Sequence, residues 1–264
     1  MLGSIIGDIV GSRFEFHNIK TKDFSLFDES CCFTDDTILT CAVADHLISK
    51  RLIEETLRKW ALKYQNRTYE NGKIAAFGKG FLHWVNTGIS INSSSNGCVM
   101  RISPIFNVKQ DQQSLLKKAD KITKITHNHP ESLNAVHAYL ETGFMIQNLI
   151  PIQQIKETIS NKYQYNLHQS LDEIRPVYNR FYVQCKNSVP QAIICALDAC
   201  SYEDALRNAV SLGGDSDTLA CMAGGLAELR FKIPIDIIEN AKKYMDKNII
   251  RQIEMFYNSR EKSC

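Results

Sequence analysis

The sequence predicts an all-α fold, on three observations. Gly and Pro together number 19 (13 and 6) in 264 residues, well short of the ~12% usual in globular chains. So few turn-formers disfavour a many-stranded sandwich or barrel. Apolar residues recur at spacings of three and four along most of the chain, and no segment sustains the alternation of a half-buried strand. Pro104, Pro151, Pro176 and Pro234 punctuate the helical stretches. With no internal repeat or low-complexity linker, residues 1–264 read as one compact domain of many helices, within the size a single domain reaches.

The helices follow in order. Gly3, Gly7 and Gly11 are four apart, so a helix there presents a stripe without side chains. Each such Gly costs about 0.5–1 kcal/mol relative to Ala, and three in register imply close packing of another backbone. The same approach would set Asp8 or Glu15 beside a site. Leu39, Ala42, Val43, His46 and Leu47 share one face of a helix over 35–49, and Leu115, Ala119, Ile122 and Ile125 mark another. Segments 131–147, 190–200, 203–211, 217–230 and 235–257 read the same way. Polar stretches at 18–34, 64–73, 86–98 and 160–170 are loops long enough to carry a site.

Composition excludes several classes. Lys and Arg number 31 against 29 Asp and Glu, and a net charge of +2 gives no global field for nucleic acid. Nine Cys without a C-x-x-C pair read as reduced, packed thiols of a cytoplasmic protein, not a disulfide frame or zinc site. The opening MLGSIIGDIVGS lacks a basic start and carries Asp8, unlike a signal peptide. No run reaches the ~18–20 apolar residues of a membrane helix. Without a heptad pattern or an apolar surface run, the expected state is a monomer.

Two acidic clusters carry the chemistry. Phe33-Thr34-Asp35-Asp36-Thr37 precedes the helix at Ile38, and Gly213-Gly214-Asp215-Ser216-Asp217-Thr218 precedes the helix at Leu219. Capping a helix needs one such side chain. Two carboxylates with flanking hydroxyls exceed that need and call for a cation. An all-oxygen donor set suits Mg²⁺, Mn²⁺ or Ca²⁺ rather than Zn²⁺ or copper. Neighbouring Asp35 and Asp36 point about 100° apart on a helix, which favours reaching two ions, or bridging a pair, over chelating one.

FTDDT at 33–37, SLGGDSDT at 211–218 and AGGLAE at 223–228 resemble the motifs of the ADP-ribosylglycohydrolase family. The likeness extends to Gly7-Asp8-x-x-Gly11-x-x-x-Glu15 and to Phe77-Gly78-x-x-Phe81-x-x-Trp84, with Phe77 where the family usually has Tyr. It includes Ser95-Asn96-Gly97-Cys98-Val99-Met100-Arg101, with Ser95 in place of a first Gly, and Thr126-His127-Asn128-His129-Pro130. Each motif alone is weak, but together they run in family order along nearly the whole chain.

The resemblance implies an ADP-ribosylglycohydrolase-like fold around a central binuclear site holding two Mg²⁺ (or Mn²⁺). The implied ligands are Thr34, Asp35, Asp36, Asp215, Asp217 and Thr218, with Glu15 on a mobile loop nearby. Asp35, Asp36, Asp217 and Glu15 would carry catalysis, the aspartates by holding metal and Glu15 by gating the site or handling the water. Five carboxylates against two divalent ions leave a charge of −1; without metal the cluster should repel itself or hold protons. Gly78, Ser93, Ser94, Asn96 and Gly97 would turn small loops toward a diphosphate, with His127 as a substrate contact. Asp8 is expected to support the metal shell and Arg101 to form a buried ion pair behind it. His129 is expected at the surface, while Cys98, Tyr163, Tyr165 and the other aromatics after 160 are read as packing.

The implied reaction is hydrolysis of the glycosidic bond between ADP-ribose and an acceptor, releasing ADP-ribose. The acceptor would be arginine first, then serine, on a protein or other carrier; a nucleic-acid acceptor stays open. Two other readings remain. A two-metal nucleotide or diphosphate hydrolase is disfavoured because neither cluster supplies His, and a non-catalytic ADP-ribose binder because the acidic set is complete.

Overall fold

The computed structural model describes residues 1–68 and 77–261. They form thirteen α-helices joined by loops and short 3-10 turns. In order these are α1 (Leu2–Gly11), α2 (Asp35–Ser49), α3 (Ile53–Tyr64), α4 (Lys79–Thr87), α5 (Gln112–Lys124), α6 (Pro130–Gln147) and α7 (Ile152–Tyr163). There follow α8 (Leu171–Val177), α9 (Cys185–Leu197), α10 (Tyr202–Leu212), α11 (Ser216–Ala227), α12 (Ile235–Lys242) and α13 (Lys247–Glu261). The only isolated bridge between extended segments pairs Ser95 with Gln184 among the described residues.

The centre is α11, every residue of which is buried, as expected of a helix without a polar face. It is flanked by α1, α9 and α10. The glycine stripe of α1 is the closest of these contacts. A Cβ at Gly7 would overlap the Ala220 carbonyl, one at Gly3 the Gly224 carbonyl, and one at Gly11 the Ser216 carbonyl. The two backbones therefore touch without side chains between them. Tyr202 fastens this pair by donating to the Gly3 carbonyl (2.8 Å), and Tyr139 does so from α6 to the Met222 carbonyl (2.9 Å).

The structure departs from the sequence expectation at several elements. Residues 235–257 form two helices, not one. Asp246 Oδ1 accepts the N–H groups of Asn248 (2.8 Å) and Ile249 (2.9 Å) and so starts a new helix. Helix α9 begins five residues before Pro190, which sits inside it without the N–H that would bond Lys186. Helices α3, α4, α7 and α8 add to the expected set. Of these, α7 takes over the start of the presumed 160–170 loop, and α8 opens with a Ser170–Glu173 capping box. Part of the expected 64–73 loop lies outside the described residues. No described helix is long and apolar enough to cross a membrane. Eight described Cys are free and seven of them buried.

Candidate functional site

The N-termini of α2 and α11 meet beside the C-terminal half of α1, and this brings the two acidic clusters together across 180 residues of sequence. Asp8, fully buried on α1, organises the start of α2. Its Oδ2 accepts from the backbone N–H of Thr34 (2.9 Å) and Thr37 (3.1 Å) and from the Thr37 hydroxyl (2.5 Å), while Oδ1 accepts from the Thr34 hydroxyl (2.7 Å). Thr34 caps α2 by accepting from the Asp36 N–H (3.3 Å). The Thr218 hydroxyl, one turn into α11, donates to Asp36 Oδ2 (3.3 Å) and joins the clusters directly.

The turn into α11 is shaped by Gly213 and Gly214, both at positive φ (74° and 73°), a conformation that side chains resist. It delivers Asp215 to the site, where Asn96 Nδ2 donates to its Oδ2 (2.7 Å). Carboxylate oxygens converge in two groups, each within 4.8 Å: Asp8, Asp36 and Asp217, and Glu15, Asp215 and Asp217. Asp217 belongs to both. Asp35 lines the same cavity but joins neither group, whereas Asp8, expected only as support, joins one.

The electrostatics are those of crowded acids. Burial, then the charges of Asp8, Glu15 and Asp215, pushes Asp35 well above the usual carboxylate range. Asp36 and Asp217 are raised in the same way, by burial first and then by neighbouring carboxylates. Among the described residues no ion pair reaches these aspartates. Asp36 Oδ1 is buried without a hydrogen-bond partner. A buried carboxylate oxygen left unpaired is costly, and an oxygen-only donor set around it matches a hard divalent cation. The residues fit a metal.

The acids floor a cavity of about 290 Å³. Gly78, Ser93, Asn96, Gly97 and His127 line it, and Thr218 joins Asp215 and Asp217 there. Thr34 and Ser94 do not line it: Thr34 lies behind Asp35 and Asp36 as the cap, and the Ser94 carbonyl accepts the Cys185 N–H (2.9 Å). The residue next along, Ser95, faces the cavity instead, its Oγ 2.9 Å from His127 Nε2. His127 Nδ1 lies 2.7 Å from Thr126 Oγ1. Burial, then Arg101, pushes the His127 imidazole down to about 3, so it is neutral near pH 7. His129 caps α6, its Nδ1 accepting the Glu131 N–H (3.1 Å).

The expected ion pair of Arg101 is absent among the described residues. Its guanidinium, fully buried, donates to Thr126 Oγ1 (2.8 Å) and the Ile122 carbonyl (3.3 Å). It thus sits against the negative end of α5 rather than a carboxylate. Burial lowers its pKa to about 10, which leaves it charged.

Sequence reasoning missed Asn18 and Phe181. Asn18 Nδ2 donates to the carbonyls of Phe14 (2.6 Å) and Gly214 (3.0 Å), and its Oδ1 accepts the Gly214 N–H (2.7 Å). Lys20 adds a bond to the Tyr178 carbonyl (2.6 Å). Together they strap the Glu15 segment to the turn before Asp215. Phe181 is not packing, as the aromatics after 160 were expected to be. It is exposed, lines the cavity, and stacks on exposed Phe16, with centroids 5.7 Å apart and planes 10° from parallel. Tyr163 and Tyr165 are buried as expected. An Asn three residues after an acidic position gives no local pattern that would have singled it out.

The sequence matches the ADP-ribosylglycohydrolase family over residues 1–261. Similar proteins include ADP-ribosylhydrolase ARH3 of Danio rerio, 22% identical with 88% of this chain and 82% of the relative covered. The ADP-ribosyl-[dinitrogen reductase] glycohydrolase of Rhodospirillum rubrum is 24% identical over 96% and 92%. A solved chain described as an ADP-ribosylglycohydrolase-related protein complex superposes with a TM-score of 0.65 at 18% identity, covering 98% of this chain and 95% of that one. The converging acids stand on the fold that these likenesses describe, and the chain belongs to the ADP-ribosylglycohydrolase family.

Proposed function

We propose that this chain hydrolyses the glycosidic bond between ribose C1″ of ADP-ribose and an acceptor, with arginine the favoured acceptor and serine next. One observation carries the reading: two convergent carboxylate groups share Asp217 and leave a buried Asp36 oxygen unpaired. Thr34, Asp35, Asp36, Asp215, Asp217 and Thr218 would hold two divalent ions, Mg²⁺ or Mn²⁺, with Asp8 orienting Thr34 and the start of α2. Such ions supply a grip on the vicinal ribose hydroxyls and a polarised water.

The remaining work falls to the chain's own groups. Asn96 holds Asp215 in place through one hydrogen bond. Glu15, on the Asn18-strapped segment, would orient the attacking water or take its proton as an oxocarbenium-like state forms. Ser95, held by neutral His127, would offer a hydroxyl that does not add charge beside the acids. Gly78 and Gly97 keep the wall low, so a diphosphate can approach the backbone. At about 290 Å³, the cavity is at the small end of ligand sites. It takes the ribose and adjoining phosphate and leaves the acceptor near Phe16 and Phe181. A site that grips the shared sugar accommodates several acceptors.

Incubation with ADP-ribosylated arginine, with and without EDTA, tests the reading. Metal-dependent release of ADP-ribose is the expected result, abolished in Asp36→Ala and Asp217→Ala with the helical spectrum retained. Release of AMP would indicate diphosphate hydrolysis, and binding without product a non-catalytic relative. Substrates linked through serine and through a nucleic-acid end rank the acceptors.

A further inference from the structure

The near-neutral net charge conceals a strong segregation. Two neighbouring clefts, of about 680 and 810 Å³, share Arg51. The larger is lined by Lys50 and Arg51 at the end of α2 and by Lys117, Lys118, Lys121 and Lys124 of α5, against one acid, Glu54. The smaller adds Lys59, Lys63 and Arg251, against Asp45, which already pairs with Lys59 (2.8 Å). Nine of the chain's 31 basic residues thus line one face with two of its 29 acidic ones. The side chains lining the two clefts sum to +7, and the rest of the protein to −5. Eight of the nine are exposed; the ninth, Lys118, is half-buried. Burial and then the nearby charge of Arg260 push the Lys118 ammonium below its ordinary range. Folding alone gains nothing from crowding like charges in this way.

We infer that this face binds the phosphate backbone of double-stranded nucleic acid without reading its sequence. Seven of the nine cations are Lys, point charges suited to phosphates. Protein–protein interfaces are depleted in Lys and enriched in aromatic residues, whereas the one aromatic side chain in these clefts, Trp60, is buried. The same lack of exposed rings removes the stacking platform that single strands require. Lys117, Lys121 and Lys124 recur at four and three residues on α5, so they follow one face of that helix at axial intervals of about 4.5–6 Å. The Asp120 carboxylate between them is shared, its Oδ1 2.7 Å from His137 Nε2 and its Oδ2 3.9 Å from Lys124 Nζ.

The face is separate from the acidic cavity. Asp35 and Asp36 open α2, whereas Lys50 and Arg51 follow its other end, about 22 Å away by helical rise. Binding there would hold a nucleic acid beside the protein without entering the cavity, and it does not depend on the hydrolytic reading.

Anisotropy of a fluorescein-labelled DNA duplex of about 20 bp, carrying no ADP-ribose, tests the inference on the whole chain. Between about 50 and 200 mM salt, affinity is expected to fall about a hundredfold, as for release from about four phosphates. Lys50→Glu/Lys117→Glu/Lys121→Glu should bind at least tenfold more weakly with a shallower salt slope. The neutral Lys→Gln set at these positions gives an intermediate loss and guards against misfolding of the first. Lys232→Glu/Lys242→Glu/Lys243→Glu, outside both clefts, should bind nearly as the parent does. Failure of the parent to bind at low salt, or unchanged binding in both variants of the clefts, overturns the inference. So does competition by polyglutamate as effective as competition by unlabelled duplex, which would assign the face to acidic protein.

Discussion

Asn18 engages both backbone groups of Gly214, accepting from its N–H at 2.7 Å and donating to its carbonyl at 3.0 Å. One side chain thereby couples the segment bearing Glu15 to the turn that presents Asp215 and Asp217. With each hydrogen bond worth about 1 kcal/mol, Asn18→Ala should lower the unfolding free energy by about 1–2 kcal/mol in urea titrations. Calorimetric Mg²⁺ affinity should fall further than stability does, because both arms of one carboxylate group are released. Unchanged Mg²⁺ affinity would break the proposed coupling.

Gly7→Ala and Gly78→Ala form a contrasting pair. A Cβ at Gly7 collides with the Ala220 backbone, while one at Gly78 meets nothing within 4 Å. Overpacking at Gly7 should cost about 1–3 kcal/mol or more, read as a lower Tm and a loss of metal response together. Gly78→Ala should leave Tm within about a degree of the parent and raise KM for the ADP-ribosyl substrate.

The crowded acids predict how metal and pH interact. Asp35, Asp36 and Asp217 lie above their ordinary value of 3.8, chiefly through burial. A carboxyl group raised on folding contributes stability below its unfolded pKa and loses it as pH rises through the folded one. A divalent ion must displace those protons. The Mg²⁺-induced rise in Tm should therefore grow with rising pH. Asp36→Asn removes one buried charge, so its Tm in EDTA should exceed the parent's, while the increment with Mg²⁺ disappears. A metal increment independent of pH would count against the acids as ligands.

His127 sets an opposite slope at lower pH. Its folded imidazole, at about 3, stays neutral where the unfolded ring, near 6.5, takes a proton. Its stability contribution is complete above pH 6.5 and erodes below it, by about 2 kcal/mol at pH 5. In His127→Gln the acid limb of the stability curve should be flatter between pH 6.5 and 4. In the parent, the ring proton resonances of His127 should hold constant from pH 8 to 5.

The most legible parts of the molecule were those written locally. The glycine stripe of α1 announced its contact before any partner was known, and the paired acids announced more than a cap. Asp246 was a readable helix start overlooked inside a long apolar pattern. What local sequence could not show was who faces whom. Arg101 meets the carbonyl end of α5, Phe181 stacks on Phe16 from a segment 165 residues away, and Asn18 finds Gly214. Each of these depends on a long-range approach that spacing does not encode. The same applies to the basic face: the total charge averages away a separation that appears only when α2, α3, α5 and α13 come together.

The contact of α1 with α11 has a bearing on how such a protein can change. Where side chains separate two helices, each substitution resets the gap, as a shim of different thickness would. Here the gap is gauged by peptide groups, whose dimensions no substitution alters while the glycines remain. The distance between Asp8 and Asp217 is thus insulated from drift elsewhere, and the surrounding loops are free to be rebuilt for new clients around an unchanging bore.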